Sequence, residues 1–260
     1  MDDHVVTFSK SGRLGYITLN RPPANSYEIR FMQQLDSAIE TAGADDEVRV
    51  VIVKSELPKF FSAGADVKAF MANSISENME MIGFAHLALS KIGQSGKLFI
   101  AAINAHALGG GLEIALACDL RFAQEGNYKL GLPEVTLGLL PGNGGTQRLP
   151  RLIGKSKALE MMVSGETVNP EEALRLGLIN RLLPADQLME QTVLFAEKLA
   201  SGASLAIQNI KRAIYQGMEK PLDEGLALER QLIEPLFNTQ DAKEGFTAFS
   251  EKRQPVYQGK

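Results

Sequence analysis

Two carboxylates in this chain stand alone in apolar surroundings. Glu113 is the only charged residue between Lys97 and Asp119, and Glu134 the only one between Lys129 and Arg148. If Glu113 is helical, its neighbours three and four positions away are Gly109, Gly110, Leu116 and Ala117, none of them polar. Burying a carboxylate among such groups is costly unless a partner or a function compensates, and perturbed carboxylates gather at functional sites. Glu134 alone has a plain structural reading as an acidic residue in a first helical turn after Pro133. Beside a second isolated carboxylate it reads as half of a pair. Two carboxyl groups converging on one water or one substrate proton are a recurrent acid/base device.

Three consecutive glycines, Gly109-Gly110-Gly111, precede Glu113. Each costs about 1 kcal/mol relative to Ala inside a helix. They suit a backbone that approaches a ligand closely or takes φ values other residues avoid. The amides of Gly109 to Leu112 are therefore expected near a helix N-terminus, unpaired and facing outward, where partial positive charge attracts anions. No G-x-G-x-x-G or G-x-x-x-x-G-K-[ST] nucleotide fingerprint is present.

The elements that must position these groups follow from hydrophobic period. Val5–Phe8 and Gly15–Leu19 read as a hairpin, and Asn20–Asn25 as a turn. A helix is expected from about Tyr27 to Gly43, with apolar residues at Ile29, Met32, Leu35 and Ile39. Val48–Val53 reads as a buried strand, and Phe60–Ser62 as a short strand ending in Ala63-Gly64-Ala65-Asp66. Helical pattern runs from Val67 to Gly93. The strand Leu98–Ile103 then delivers the chain to the glycine turn, and Leu120–Ala123 is a further strand. After Ser156 the pattern is largely helical, with a helix start at Asn169-Pro170-Glu171-Glu172 and a short strand over Leu178–Leu183. Helices are expected over Asp186–Ala200, Ser204–Gly217, Pro221–Asn238 and Asp241–Glu251. Alternating strands and helices indicate an α/β core with mostly parallel pairing. Ligands in such cores sit at the carboxyl ends of strands.

Composition narrows the class. A chain of 260 residues, 45% apolar and 22% charged, can bury one substantial core. A net charge of −4 gives no reason to expect nucleic acid as a partner. No apolar run reaches the ~18 residues of a membrane span, so no membrane is expected. The acidic start Met1-Asp2-Asp3-His4 lacks a signal-peptide pattern. Cys118 is the only cysteine and lies in an apolar run, which suits packing rather than nucleophilic chemistry. His4, His86 and His106 are scattered and make no metal-ligand pattern, so no metal is expected; His106 reads as a packing or supporting residue. The compartment expected is the cytoplasm.

The chain resembles the crotonase (enoyl-CoA hydratase/isomerase) family. The resemblance is carried by Asn20-Arg21-Pro22, Ser62-Ala63-Gly64-Ala65-Asp66, Ala107-Leu108-Gly109-Gly110-Gly111-Leu112-Glu113, Leu132-Pro133-Glu134, Pro141-Gly142-Asn143-Gly144-Gly145-Thr146-Gln147-Arg148-Leu149 and Ala248-Phe249-Ser250-Glu251-Lys252-Arg253. These occur in family order over essentially the whole chain. The resemblance implies a core of ββα superhelical repeats over residues 1–195. It also implies a helical region over 196–260 that packs on the core and on a neighbouring subunit. The assembly implied is a trimer or a dimer of trimers. The ligand implied is an acyl-CoA thioester, with CoA as part of the substrate and no separate cofactor.

By the same resemblance the amides of Ala65 and Gly110 form an oxyanion hole for the thioester oxygen. Glu134 gives the Cα proton, and Glu113 holds and deprotonates the water. Ala63, Asp66 and Val67 line the adenosine and pantetheine path; Gly109, Pro133 and Gly142 belong to the substrate cleft. Phe249 and Lys252 match residues that touch a neighbouring subunit's CoA. Members keeping both glutamates resemble hydratases. One departure is the loop Pro23-Ala24-Asn25-Ser26-Tyr27, one residue shorter than usual and without the cation family members place there. It bears on one CoA phosphate contact and alters the acyl pocket through Tyr27.

The activity implied is syn addition of water to a trans-2-enoyl-CoA, giving a 3-hydroxyacyl-CoA, in fatty acid or branched acyl-CoA metabolism. Alternatives on the same scaffold are an enoyl-CoA isomerase, a glutaconyl-type hydratase, a thioester hydrolase and a non-catalytic CoA-binding scaffold. A serine hydrolase of the related Clp protease type would need a Ser-His-acid set, which the sequence does not place.

Overall fold

The computed structural model describes residues 4–260. The acidic start at Met1-Asp2-Asp3 lies outside the described residues. The hairpin is β1 (Val6–Ser11) and β2 (Leu14–Leu19), paired antiparallel. Helix α1 (Ile29–Ala44) follows. It starts two residues later than the periodicity suggests. Tyr27 N–H donates to the Gly64 carbonyl and its carbonyl accepts from Asp66 N–H, which holds this stretch extended.

Three successive units then repeat one plan. The first is β3 (Val50–Ser55), β4 (Phe60–Ser62) and α2 (Val67–Ala72), extended by α3 (Ile75–Gln94). The second is β5 (Leu98–Ile103), β6 (His106–Leu108) and α4 (Gly110–Ala117). The third is β7 (Leu120–Gln124), β8 (Leu130–Gly131) and a 3₁₀ turn, Glu134–Leu137. The long strands join one sheet, in the order β1-β2-β3-β5-β7-β9, where β9 is Arg181–Leu183. The short strands form a second sheet, β4-β6-β8. The expected ββα superhelix is therefore present.

One expectation needs correcting. Strand β5 does not deliver the chain directly to the glycine turn, because β6 intervenes in the other sheet. At three residues, and two for β8, these strands are too short to show a period. The helical segments expected over Val67 to Gly93 are α2 and α3. Ser74 caps the second in a capping box with Glu77, the S-x-x-E signature of a helix start.

The central strands β3 and β5 of the large sheet are buried on both faces, which is why they read as near-continuous apolar runs. Along β3 and β5, Val51, Val53, Phe99, Ala101 and Ile103 face the cluster under α1, α3 and α4. The alternate residues Val50, Ile52, Ile100 and Ala102 face α8 (Leu188–Ala200). Between them in sequence lie α5 (Gly145–Ile153), α6 (Lys155–Ser164) and α7 (Pro170–Leu176), whose N-cap is Asn169. The chain ends in α9 (Ser204–Gly217), α10 (Leu222–Ile233) and α11 (Gln240–Glu251). No described helix is long and apolar enough to cross a membrane.

Candidate active site

The three short strands place three turns side by side. Ala63–Asp66 leaves β4, Gly109 and Gly110 leave β6, and Pro133 and Glu134 leave β8. Each turn therefore emerges from the same end of the small sheet and leads a helix or a 3₁₀ turn. The first two are in close approach: a Cβ built on Gly64 would stand 2.8 Å from the Leu108 carbonyl and 3.1 Å from the Gly110 nitrogen.

The first turn is built from inside. Asn25 is fully buried; its Oδ1 accepts from Arg21 N–H at 2.6 Å and its Nδ2 donates to Ser55 Oγ and to the Phe61 carbonyl. Ser62 Oγ donates to the Asn25 carbonyl and accepts from Gly64 N–H. Arg21 donates to Asp66 Oδ2 at 3.1 Å through both terminal nitrogens. Burial works against that carboxylate, but Arg21 and the α2 amides outweigh it and lower the Asp66 pKa. The Asn-Arg-Pro segment thus serves as the frame of the turn. The bonds that fix Tyr27 bracket Ala65, so the Ala65 N–H faces away from them.

In the second turn Gly109 takes φ +54°, a conformation that favours glycine. Not all four amides anticipated here are open. Gly109 N–H donates to the Gly131 carbonyl, and the N–H groups of Leu112 and Glu113 donate to the Gly109 carbonyl. The amides of Gly110 and Gly111 are left as first-turn donors.

The carboxylates have contrasting settings. Glu113 is 1% exposed, and its Oε1 accepts from the main-chain N–H groups of Asn143 and Gly145, both at 2.7 Å. Burial raises its pKa against the pull of those two bonds. Glu134 lies beside Gly109, where an added Cβ would come within 3.0 Å of its Oε1. Its Oε2 is buried with no hydrogen-bond partner among the described residues. Burial pushes its pKa up to about 7; a bond to its own backbone opposes this and the Glu113 charge adds to it. The two glutamates therefore share one field.

The segment 141–145 that holds Glu113 is itself anchored. His86 Nε2–H donates to the Gly142 carbonyl at 2.5 Å, and Arg148 donates to the Asn143 carbonyl at 2.9 Å. Asn143 Nδ2 donates to the Tyr27 hydroxyl at 2.5 Å. In the sequence Asn25 and Tyr27 belong to the short loop, Asn143 to a family motif and His86 to three scattered histidines; their partners, far off along the chain, are given only by the fold.

Other sequence candidates fall around this centre. Ala63, Ala65, Asp66, Pro133 and Gly142 are half-buried at the rim, and Val67 is exposed. Phe249 is 88% exposed, and Lys252 is exposed at the end of α11. Neither shares a hydrogen bond or ion pair with the residues around the glutamates among the described residues. His106 packs against Phe60 and Tyr128 and accepts from Lys129 N–H, a packing role. Cys118 is buried, and burial pushes its thiol up to about 12, as suits a packing residue.

A spiral of strand–strand–helix units whose turns face a buried carboxylate pair defines a crotonase-type α/β protein. The family model described as enoyl-CoA hydratase/isomerase matches residues 9–260. The chain is 38% identical over 257 residues to a probable mitochondrial enoyl-CoA hydratase of Dictyostelium discoideum, covering 98% of this chain and 91% of that protein. It is 38% identical over 253 residues to the 2,3-dehydroadipyl-CoA hydratase of Escherichia coli, covering 97% and 98%. A crystal structure of an enoyl-CoA hydratase from Geobacillus kaustophilus superposes with a TM-score of 0.97 at 45% identity, over 100% of this chain and 98% of that one. The chain belongs to the enoyl-CoA hydratase/isomerase family.

Proposed function

We propose that the protein is an enoyl-CoA hydratase, adding water across the 2,3-double bond of a trans-2-enoyl-CoA. The observation that carries this reading is the division of labour between the carboxyl groups. Glu113 has one oxygen tied by two amides, so its position is fixed. Glu134 has a buried oxygen without a partner and a pKa near neutrality. The first suits a base that orients and deprotonates water. The second suits an acid that gives a proton to Cα.

As hydroxide adds at Cβ, negative charge gathers on the thioester oxygen. The amides of Ala65 and Gly110, one on each adjoining turn, are placed to oppose it. One such donor is typically worth about 3 to 4 kcal/mol. The carbonyl re-forms when Glu134 protonates Cα, and the proton taken by Glu113 returns to solvent or to Glu134 before the next turnover. Ala63, Asp66 and Val67 would line the CoA path.

The exposed apolar residues Ile210, Met218, Leu222, Phe237, Phe246 and Phe249 on the C-terminal helices are what a homo-oligomer would cover. Phe249 and Lys252 would then reach a neighbour's CoA. The test is an absorbance screen of 2-enoyl-CoA esters of graded length, with products identified by mass. Appearance of 3-hydroxyacyl-CoA is the expected result. CoA-ester binding without turnover on any member would favour a scaffold.

A further inference from the structure

Tyr27 is buried between the turns that carry Ala65 and Gly110, and no step above uses it. Its main chain brackets Ala65 through the two bonds to Gly64 and Asp66, both 2.8 Å. Its ring reaches across to α4. A Cβ built on Gly110 would lie 2.1 Å from the Tyr27 hydroxyl oxygen and 2.5 Å from a ring carbon, so only glycine fits beneath it. One residue thus touches both turns.

The hydroxyl is held from one side only. Asn143 Nδ2 donates to its oxygen at 2.5 Å, across 116 positions of sequence. That bond uses a lone pair and leaves the phenolic proton. Among the described residues no acceptor takes that proton. Burial, then the charges of Glu113 and Glu134, raise the pKa of the phenol, so it stays protonated and keeps that proton to donate. A donor in a low-dielectric cleft is costly to leave unpaired once a ligand displaces water. Glu113 Oε1 already accepts two amides.

We infer that Tyr27 is a third hydrogen-bond donor to the thioester oxygen, beside the amides of Ala65 and Gly110. This rests on the acyl-CoA reading of the cleft. The hydroxyl stands against the Gly110 backbone whose N–H is one of the proposed donors. Asn143 fixes the phenol before the ligand arrives, so its dipole needs no reorganisation as charge develops. Tyr27 is then a catalytic residue, and Asn143 its positioning residue.

The test compares wild type, Tyr27→Phe and Asn143→Ala. Phe keeps the ring over Gly110 and removes the donor; Ala at 143 keeps the main-chain amide that holds Glu113. Tyr27→Phe is expected to lower kcat on the enoyl-CoA turned over by wild type by about 10²-fold, as for loss of one oxyanion donor, with KM little changed. Asn143→Ala should lose less, in the same direction. The second readout is the infrared carbonyl band of bound butyryl-CoA carrying ¹³C at the thioester carbon. This saturated ester cannot be hydrated. The band should move toward its free-solution frequency in both variants. Wild-type kcat in Tyr27→Phe, or a loss of kcat with an unmoved band, overturns the assignment; the latter would send the proton to the water or to a carboxylate. If Tyr27→Phe does not fold, Asn143→Ala decides by the same band. A wild type that turns over no enoyl-CoA removes the hydratase reading and this assignment with it, whereas an active wild type beside a fully active Tyr27→Phe removes only the assignment.

Discussion

Helix α4 is buried along all eight of its residues, and its two ends are finished in opposite ways. At the N-terminal end the amides of Gly110 and Gly111 lead into a cleft where one Glu134 oxygen is buried without a partner. At the C-terminal end the polar groups are paired. Arg121 donates to the Ala115 and Cys118 carbonyls and to Leu178. Asp119 accepts from Phe99 N–H, Lys211 and the Tyr215 hydroxyl. Lys211 uses its remaining donors on the Ile92 and Lys97 carbonyls. Both ends bury charge. At one end charge is satisfied and locks α9 onto the core. At the other it is left unsatisfied, and that is the end we propose acts on a substrate. A buried charge marks a site when its hydrogen bonds are incomplete, and a joint when they are complete.

The largest expected effect breaks the reactive end. Glu113→Gln and Glu134→Gln should each lower kcat roughly 10²- to 10⁴-fold, the usual contribution of such groups. The double variant should be scarcely slower than the worse single one, because residues acting as a unit are not additive. Thermal unfolding should show all three as stable as wild type or more so, since a buried charge has been removed. Multiplicative losses in kcat would mean two independent groups rather than one shared water.

The opposite end should respond in the opposite currency. Lys211→Met takes the countercharge from buried Asp119 and the side-chain donor from two carbonyls. Breaking a buried pair on one side costs about 3 to 5 kcal/mol. The urea midpoint should fall accordingly while kcat of the folded protein stays near wild type. A variant as stable as wild type would erase the contrast between the two ends.

A pH series sharpens the comparison. The acid that serves Cα must be protonated, so kcat/KM for hydration should fall on the alkaline side of about 7, where Glu134 titrates. That limb should vanish from the residual activity of Glu134→Gln. The stability sign is also fixed. A carboxyl raised from 4.5 to about 7 binds its proton more tightly in the folded state. Its contribution to stability is therefore greatest below about 4.5, declines as pH rises to about 7 and is level above that. Urea titration of wild type against Glu134→Gln at pH 5 and pH 8 reads the difference.

The smallest effect lies at the rim. Asp66 Oδ1 accepts from Lys68 N–H and Ala69 N–H at the start of α2, and its ion pair with Arg21 is half-exposed. Asp66→Ala should cost about 1 kcal/mol through the lost cap, read as a modest drop in melting temperature. Asp66→Asn should recover most of it, because an exposed ion pair adds little.

The reactive end was more legible in the sequence than the joint. Glu113 and Glu134 announce themselves as lone charges in long apolar runs, and the glycines beside Glu113 announce a close backbone approach. The long strands are legible because both faces of the sheet are buried, so Val50 to Val53 form an unbroken β-branched run. Strands β6 and β8 are not, since three and two residues carry no period. Lys211, Asp119 and Arg121 look in sequence like ordinary surface charges. Only the packing of α9 against the end of α4 shows them to be buried. Tyr27 and Asn143 are legible in part: the sequence puts one in the short loop and the other in a family motif, but the contact between them appears only in the fold.

Asn143 commits its N–H to Glu113, its carbonyl to Arg148 and its side chain to Tyr27, while the carbonyl one residue earlier receives His86. One inserted residue would present every one of these partners with the wrong atom. Segment 141–145 lies in a loop, where length is ordinarily free to drift, yet here length is what the geometry fixes. A side-chain exchange in this segment can leave its main-chain bonds to Glu113 in place, but lengthening or trimming it cannot.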